Sequence, residues 1–466
     1  MRKKKEHIII ENLHIVDAGA EGKAVGKHDK LTVFVPYMVP GDVADVKVVK
    51  KKRDYAEAIL LNLKQSSPDR IEPRCAHFGV CGGCKWQVMP YERQLFYKQK
   101  QVNDHFSRIG KFEYPELRPI IASDEAYHYR NKLEFTFTNK RWLDSVDMLK
   151  QESPMSTEGV GFHIPGKFDK ILDITCCLLQ PDNSNRIRLY AKQLALQMGF
   201  DFYNARDHSG TIRNLILRNS AEGAWMAVVV FGKYTEKVNP FMDSLATTFP
   251  EINSLYYVFN EKLNDSINDL DMHHYRGVPY IEDKMENLTF RIGPTSFYQT
   301  NSKQAYRLYS VVRSLAAINP EDIVYDLYTG IGTIALFVAA RAREVIGIEY
   351  VEAAIADARA NAQLNQITNA HFFTGDMAKI LTPDFIRAHG SPDIVITDPP
   401  RSGMHPKVIE QLLDIAPKRI VYVSCNPATQ ARDLTLLTAK YKITAVQPVD
   451  MFPQTQHVEN VALLER

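Results

Sequence analysis

Residues 323–349 restrict the fold more than any other stretch of this chain. Ile323-Val-Tyr-Asp326 reads as a short buried strand, Thr333 to Ala340 as a helix, and Glu344-Val-Ile-Gly-Ile-Glu349 as the next strand. Between the first strand and the helix lies Gly330-Ile-Gly332-Thr-Ile-Ala335, a glycine turn of the Gly-x-Gly-x-x-Ala kind. Asp393-Ile-Val-Ile-Thr397 and Arg419-Ile-Val-Tyr-Val423 repeat the short apolar run further on. Strands alternating with helices predict a doubly wound parallel sheet, with a ligand at the carboxyl ends of the strands.

The chemistry around the turn selects the ligand. A pyrophosphate wants backbone N–H groups and positive dipole, and a carboxylate at the mouth of the loop would repel it. Asp326 stands there, and Glu349 ends the next strand. S-adenosylmethionine presents an ammonium, a sulfonium and a ribose without phosphate, so Asp326 suits its cationic end and Glu349 its ribose hydroxyls. A dinucleotide and plain helix–strand packing glycines are the competing readings.

The 466 residues exceed one ordinary domain, and the remainder divides into two further parts. Residues 7–64 show short runs, Ile8-Ile-Ile, His14-Ile-Val16, Leu31 to Pro36, Val43 to Val49 and Ala58 to Leu61, punctuated by Gly19, Gly22, Gly26 and Pro40-Gly41-Asp42. This pattern predicts a small closed β-barrel. Residues 1–70 carry 14 Lys and Arg against 10 Asp and Glu, with Lys47-Val-Val-Lys50-Lys-Lys-Arg53 the densest group, in a chain of net charge +2. That run is either a phosphate-binding strip or a solvated strand end. From Cys75 to about residue 290 the pattern is α+β: a polar helix from Tyr91 to Ile109, strands at Leu133 to Thr138, Ile212 to Arg218, Met226 to Phe231 and Ser254 to Phe259, and a polar loop from Asp144 to Glu158. The apolar runs are too short to span a bilayer, and Ile8-Ile-Ile10 is too short for a signal-peptide core, so a cytoplasmic protein without a membrane partner is expected.

Three segments near the carboxyl end bring together a reactive set. Asp398-Pro-Pro-Arg401-Ser-Gly403 puts a carboxylate after one apolar strand, and Val421-Tyr-Val-Ser-Cys425-Asn-Pro puts a lone thiol after the next. Asp450-Met-Phe-Pro-Gln-Thr-Gln-His457-Val-Glu459 adds an imidazole and a carboxylate. Carbon 5 of uracil is a poor nucleophile until a thiolate adds to carbon 6, and a base must then remove the carbon-5 proton. Cys425 is the candidate nucleophile and Glu459 the candidate base, with His457 read as a strand residue on the same side as Glu459, and Asp398 and Arg401 as polar contacts. Separately, each has an ordinary explanation: buried cysteines mostly pack, and His-x-Glu is usually surface.

Asp-Pro-Pro-Arg-x-Gly, Ile420-Val-Tyr-x-Ser-Cys-Asn-x-x-Thr429 and Asp-x-Phe-Pro-x-Thr-x-His-Val-Glu together resemble the signature motifs of the RNA uracil-5-methyltransferases, the family of the tRNA and 23S rRNA 5-methyluridine enzymes. The resemblance implies Cys425 as nucleophile and Glu459 as base. It implies that Gln299, in Ser296-Phe-Tyr-Gln299-Thr-Asn301, together with Tyr328, Glu349, Asp398 and Asp376, contacts S-adenosyl-L-methionine. Thr329 replaces a cysteine common in the family, a change expected to matter little. Residues 7–64 resemble a TRAM domain, the OB-like RNA-binding barrel. The fold expected is therefore α/β: a Rossmann-like S-adenosylmethionine-dependent methyltransferase domain at 291–466, an N-terminal OB-like TRAM β-barrel at 1–66, and a central α+β iron–sulfur domain at 67–290. The helical part near 91–124 is expected to pack on the catalytic domain.

Cys75-x5-Cys81-Gly-Gly-Cys84 gathers three thiols in one loop, and residue types alone leave zinc and iron–sulfur equally open. The resemblance implies a 4Fe-4S cluster held by Cys75, Cys81, Cys84 and Cys177. Leu178 follows where the family has proline, so Cys176 stays an alternative fourth ligand. Barrel and cysteine loop together look more like the 23S rRNA branch than the tRNA branch, read as shorter and lacking both. The expected function is methylation of carbon 5 of a uridine in 23S rRNA, with the tRNA T-loop uridine and a non-catalytic RNA-binding or assembly protein as alternatives. A radical methylthiotransferase would require Cys-x3-Cys-x2-Cys, which the five-residue spacing does not match. The target uridine must leave its stack to expose carbons 5 and 6, so a loop or bulge in RNA is the expected partner, with no obligate protein partner evident. Arg130 and Lys132, in Tyr127-His-Tyr-Arg130-Asn-Lys132, and Phe297 are candidates for RNA contact.

Overall fold

The computed structural model describes residues 8–143 and 156–466. Most of the polar loop expected between Asp144 and Glu158 lies outside them. The amino-terminal strands close into a barrel in the order β1 (Ile9–Ala18), β2 (Lys23–His28), β3 (Leu31–Pro36), β5 (Tyr55–Gln65), β4 (Val43–Lys51), with β4 returning to β1. Alternate residues such as Val33, Val35, Ala44, Val46 and Ala56 fill its interior. Two details differ from the sequence reading. The runs at Ile8 and His14 belong to one strand, because an irregularity between Ile10 and Leu13 carries β1 through the polar Glu11-Asn12. The strand β2 was missed, since its Gly26 and two lysines dilute the apolar signal.

A second sheet has the order β12 (His273–Gly277), β11 (Ile252–Phe259), β10 (Trp225–Phe231), β9 (Ile212–Asn219), β6 (Lys132–Thr138), β7 (Gly159–Ile164), β8 (Lys167–Asp173). Helix α1 (Tyr91–His105) precedes it, and α2 (Asn183–Gln197) and α3 (Val238–Thr248) bury Ile187, Ala191, Phe241 and Leu245 with residues of that sheet. The hairpin β13 (Ile281–Met285) and β14 (Leu288–Ile292) leads into α4 (Ser302–Ala316).

The third sheet runs β17 (Ala370–Thr374), β16 (Glu344–Glu349), β15 (Ile323–Leu327), β18 (Ile394–Thr397), β19 (Arg419–Ser424), β21 (Glu459–Glu465), β20 (Lys442–Val449). Its connections include α5 (Thr333–Ala339), α6 (Glu352–Leu364) and α7 (Pro427–Leu437). The five strands from β17 to β19 are parallel, but β21 is antiparallel to both neighbours, so the sheet is mixed rather than wholly parallel. That reversal turns the start of β21 toward the carboxyl ends of the parallel strands. The edge strand β20 is covered by residues 118–121, which exchange backbone hydrogen bonds with Val446, Pro448 and Asp450. Helix α1 and its continuation insert Val102 and Phe106, both fully buried, into the same core as Tyr325, Ile346 and Tyr422. The helical segment therefore packs on the carboxyl-terminal sheet.

Candidate active site

The loop after β15 is bent by three alternate left-handed positions, Tyr328 (φ 65°), Gly330 (φ 57°) and Gly332 (φ 82°). A Cβ on Gly332 would lie 3.0 Å from the Phe372 ring and 3.1 Å from Ala358, so the turn requires glycine there for space as well as for dihedral. Asp326 is buried and pins the loop: its Oδ2 accepts the Thr329 hydroxyl (2.5 Å) and the Ala335 N–H (3.0 Å). Thr329 thus helps to hold the turn. The second oxygen, Oδ1, is buried without a partner, as a site awaiting a cation would be. Glu349 accepts N–H groups from Tyr350 (2.8 Å), Val351 (3.0 Å) and Gly330 (3.2 Å), which fixes its carboxylate at the loop. Asp376 caps the following short helix through the Ala378 N–H (3.0 Å). Gln299 is half-buried, and its carbonyl accepts from the Asn131 side chain (2.8 Å).

The reactive set assembles at the strand ends. In the β19–β21 ladder Ser424 pairs with Asn460, so the next step outward sets Cys425 opposite Glu459 at the ends of two antiparallel strands. Asp398 follows β18 one strand away. Glu459 is buried, and burial followed by the Asp398 charge raises its carboxyl well above the usual range. Burial, then Asp326, pushes Asp398 up to about 7. Asp326 itself is pushed to about 7 by burial, with Glu349 adding to it. Cys425 is pushed up to about 12 by burial, then by Glu459 and Asp398, while Arg401 opposes the shift. Three carboxyl groups and a thiol crowded in low dielectric cannot all ionise; an added positive charge relieves them.

Arg401 is fixed by its carbonyl, which accepts from Asn426 Nδ2 (3.0 Å) and the Thr429 hydroxyl (3.2 Å) at the start of α7. Asp433 on the same helix accepts the Met404 N–H (2.8 Å) and the Tyr422 hydroxyl (2.7 Å), locking the loop after Pro400. His457 does not lie in a strand, because β21 begins at Glu459. Burial, then Arg401, pulls its imidazole down to about 4, so it is neutral at physiological pH. Phe297 is 68% exposed. Arg130 lies over the Phe452 ring (5.9 Å), and Arg130 and Lys132 are half-buried and line the cavity of the cysteines. Sequence reasoning missed Tyr309, a buried residue of α4 whose hydroxyl is pushed far up by burial and feels Asp398, Asp326 and Glu459 together. Nothing in its helical spacing distinguishes it from packing.

Cys75, Cys81, Cys84, Cys176 and Cys177 line one cavity of about 580 Å³. Its loop needs Gly82 (φ 77°), whose Cβ would stand 2.3 Å from Pro165. His77 Nε2 and Thr175 (2.9 Å) join the two cysteine segments. Cys84 is pushed up to about 12 and Cys177 to about 11, chiefly by burial. The Cys177 thiol feels Cys81, Cys75 and Cys84, while Cys176 feels Cys75 and faces Asn185 Nδ2 (3.5 Å). Among the described residues, no group of three or more His, Cys, Asp or Glu side chains is arranged to hold a single metal ion. No helix among them is long and apolar enough to cross a membrane.

The buried carboxyls yield one pH expectation. A folded-state value near 7 against an ordinary 3.8 means that the ligand-free fold favours protonated Asp326, so the stability this gives is full below about 4 and lost as pH rises through about 7. Asp326→Asn, which stays neutral, should therefore gain in melting temperature over the wild type progressively from pH 4 to 7. Differential scanning calorimetry across that range checks it; a constant difference would show that Asp326 does not titrate there.

A glycine-turn α/β sheet with a thiol and carboxylate at its strand ends, joined to an OB-like barrel, defines an RNA-modifying methyltransferase. Residues 270–466 match the family model of tRNA (uracil-5-)-methyltransferase, and residues 4–61 match the TRAM domain. The chain is 54% identical over 451 residues to an RNA methyltransferase of Bacteroides thetaiotaomicron, covering 96% of this chain and 99% of that one. It is 40% identical over 475 residues to an RNA methyltransferase of Chlorobaculum tepidum, covering 100% and 98%. A solved structure, the Pyrococcus abyssi tRNA (uracil-54, C5)-methyltransferase in complex with S-adenosyl-L-homocysteine, aligns with TM-score 0.76 and 28% identity over 97% of this chain and 100% of its own. This chain belongs to the RNA (uracil-5-)-methyltransferase family. The expectation that tRNA-acting members are shorter does not hold for this one, which matches the chain over nearly its full length.

Proposed function

We propose that this enzyme methylates carbon 5 of an unstacked uridine in 23S rRNA, using S-adenosyl-L-methionine. The observation that carries the reading is that Cys425 and Glu459 each lie one residue beyond the last β19–β21 pair, with the Cys425 thiol feeling both Glu459 and Asp398. The unpartnered Asp326 Oδ1 and the fixed Glu349 carboxylate fit the cationic and ribose parts of the donor, with Gln299, Tyr328, Asp376 and Asp398 around them. When bound, the donor supplies an electrophilic methyl group. Cys425 releases its proton to solvent and the thiolate bonds to carbon 6, which moves the ring electrons toward carbon 5 and oxygen 4. Carbon 5 then takes the methyl group. Glu459 removes the carbon-5 proton, the ring double bond re-forms, and the Cys425 thiolate leaves. The exposed Phe297 ring is the proposed stacking partner for a nucleobase, and Arg130 and Lys132 are the proposed basic contacts to RNA. The hairpin end at Lys51, Lys52 and Arg53 is exposed and suits phosphate.

The thiols of Cys75, Cys81, Cys84 and Cys177 are a donor set that fits a 4Fe-4S cluster, since all four line one cavity. Cys177 is favoured over Cys176 because it is the more buried of the two and its thiol is within electrostatic reach of the other three. Such a cluster would staple the cysteine loop to the central sheet, and it suits a reducing cytoplasm. Anaerobically purified protein is expected to carry about four irons per chain with broad visible absorbance, lost in Cys84→Ser and retained in Cys176→Ser. Iron retained in Cys84→Ser would remove that ligand.

The second reading, a tRNA uridine, is favoured by the full-length likeness to the tRNA enzyme. Methyl transfer to deproteinised 23S rRNA, its fragments and unmodified tRNA, followed by mapping, decides between them. Methylation confined to tRNA would overturn the rRNA assignment.

A further inference from the structure

The loop from Asp450 to Val458 joins β20 to β21, and Val449 pairs directly with Glu459 across its base. Wherever this loop sits, the Glu459 carboxylate follows. Its anchors come mostly from another part of the chain. Lys98 of α1 donates to Asp450 Oδ1 (2.6 Å) and the Phe452 carbonyl (3.0 Å), and Tyr91 donates to Asp450 Oδ2 (2.8 Å). Gln94, one turn before Lys98, engages Gln454 with both ends of its amide: Oε1 accepts the Gln454 N–H (2.9 Å), and Nε2 donates to Gln454 Oε1 (3.0 Å). The Gln454 carbonyl in turn accepts from the N–H groups of Lys85 (2.9 Å) and Trp86 (3.1 Å). Tyr91, Gln94 and Lys98 share one helical face at spacings of three and four.

Two features separate this clamp from ordinary packing. Lys98 and Asp450 are both 0% exposed, and a buried ion pair contributes little net stability compared with apolar residues, while it does favour one geometry over others. Gln454 is held at φ 68°, a strained backbone for a side-chain-bearing residue, which persists only where surrounding contacts enforce it. We infer that Gln94 and Lys98 are positioning residues that set the Glu459 carboxylate against the carbon-5 proton. This rests on the reading of Glu459 as the base.

The test measures kcat, KM for RNA, tritium release from 5-tritiated uridine RNA, adduct formation with 5-fluorouridine RNA, and the melting temperature. The variants are Gln94→Leu, the charge-free pair Lys98→Met with Asp450→Asn, and Glu459→Gln. Gln94→Leu and the charge-free pair should each lower kcat and tritium release about 10–100-fold, the cost of a misplacement near 1 Å, with KM changed less than about threefold. Adduct formation, which needs Cys425 but no proton removal from fluorinated uracil, should stay near the wild-type rate. The charge-free pair leaves no lone buried charge, so it reads the geometry even if Gln94→Leu folds poorly. Wild-type kcat in either folded variant overturns the inference, as do proportional losses in adduct rate and melting temperature, or failure of both to fold. Normal tritium release by Glu459→Gln sinks the underlying base reading instead, and the positioning role with it.

Discussion

Cys425→Ala is expected to lose methyl transfer by at least about 10³-fold and to form no adduct with 5-fluorouridine RNA. Serine should do no better, because an alkoxide is far harder to form than a thiolate. The reason lies in the site. With its thiol pushed up to about 12 by burial, Glu459 and Asp398, Cys425 is almost wholly protonated in the free enzyme at neutral pH. Only a partner that offsets those carboxylates makes the thiolate accessible, and Arg401 is the protein's own contribution. A cationic donor bound beside Asp326 and Asp398 would add to it. Adduct formation should therefore be faster with S-adenosylmethionine present, and in its absence should rise with pH. Gel-shift assays with labelled 5-fluorouridine RNA across pH 6–9 measure both, and undiminished turnover by Cys425→Ala would end the covalent mechanism.

Glu459→Gln is the second large loss. The amide keeps the shape of the side chain and its place at the start of β21 but cannot accept the carbon-5 proton. Tritium release should fall by about 10²–10⁴-fold, the usual contribution of a positioned base. The covalent species formed before that step should accumulate on ordinary uridine RNA, where the wild type shows little. Because burial raises the Glu459 carboxyl, the wild-type rate should climb with pH as it ionises, and the variant should lack that limb. Rapid-quench tritium assays against pH resolve it; an unchanged pH profile in the variant would assign the base elsewhere.

The parts of this site that were legible in the sequence are those with a local signal. Gly330 and Gly332 were legible because glycine adopts the left-handed backbone of that turn without strain, and Cys425 and Glu459 because a thiol and a carboxylate after apolar runs fall at strand ends. The reversal of β21 was not: a run such as Val461-Ala-Leu-Leu464 is buried on both faces in either direction, so its polarity leaves no periodic trace. His457 was placed one element too far for the same reason, since the boundary depends on where the ladder with β19 stops. The clamp escaped because Gln94 and Lys98 sit in a helix rich in Gln and Lys, which reads as a wet surface. Their burial is decided by a partner loop some 350 residues away, as the Lys98–Asp450 separation of 352 shows.

That separation also bears on how the molecule matures. Contacts between segments so far apart form late, because closing the intervening chain costs entropy before any contact rewards it. On dilution from denaturant, helical and sheet ellipticity should return first, and catalytic competence should lag until the two distant segments have met.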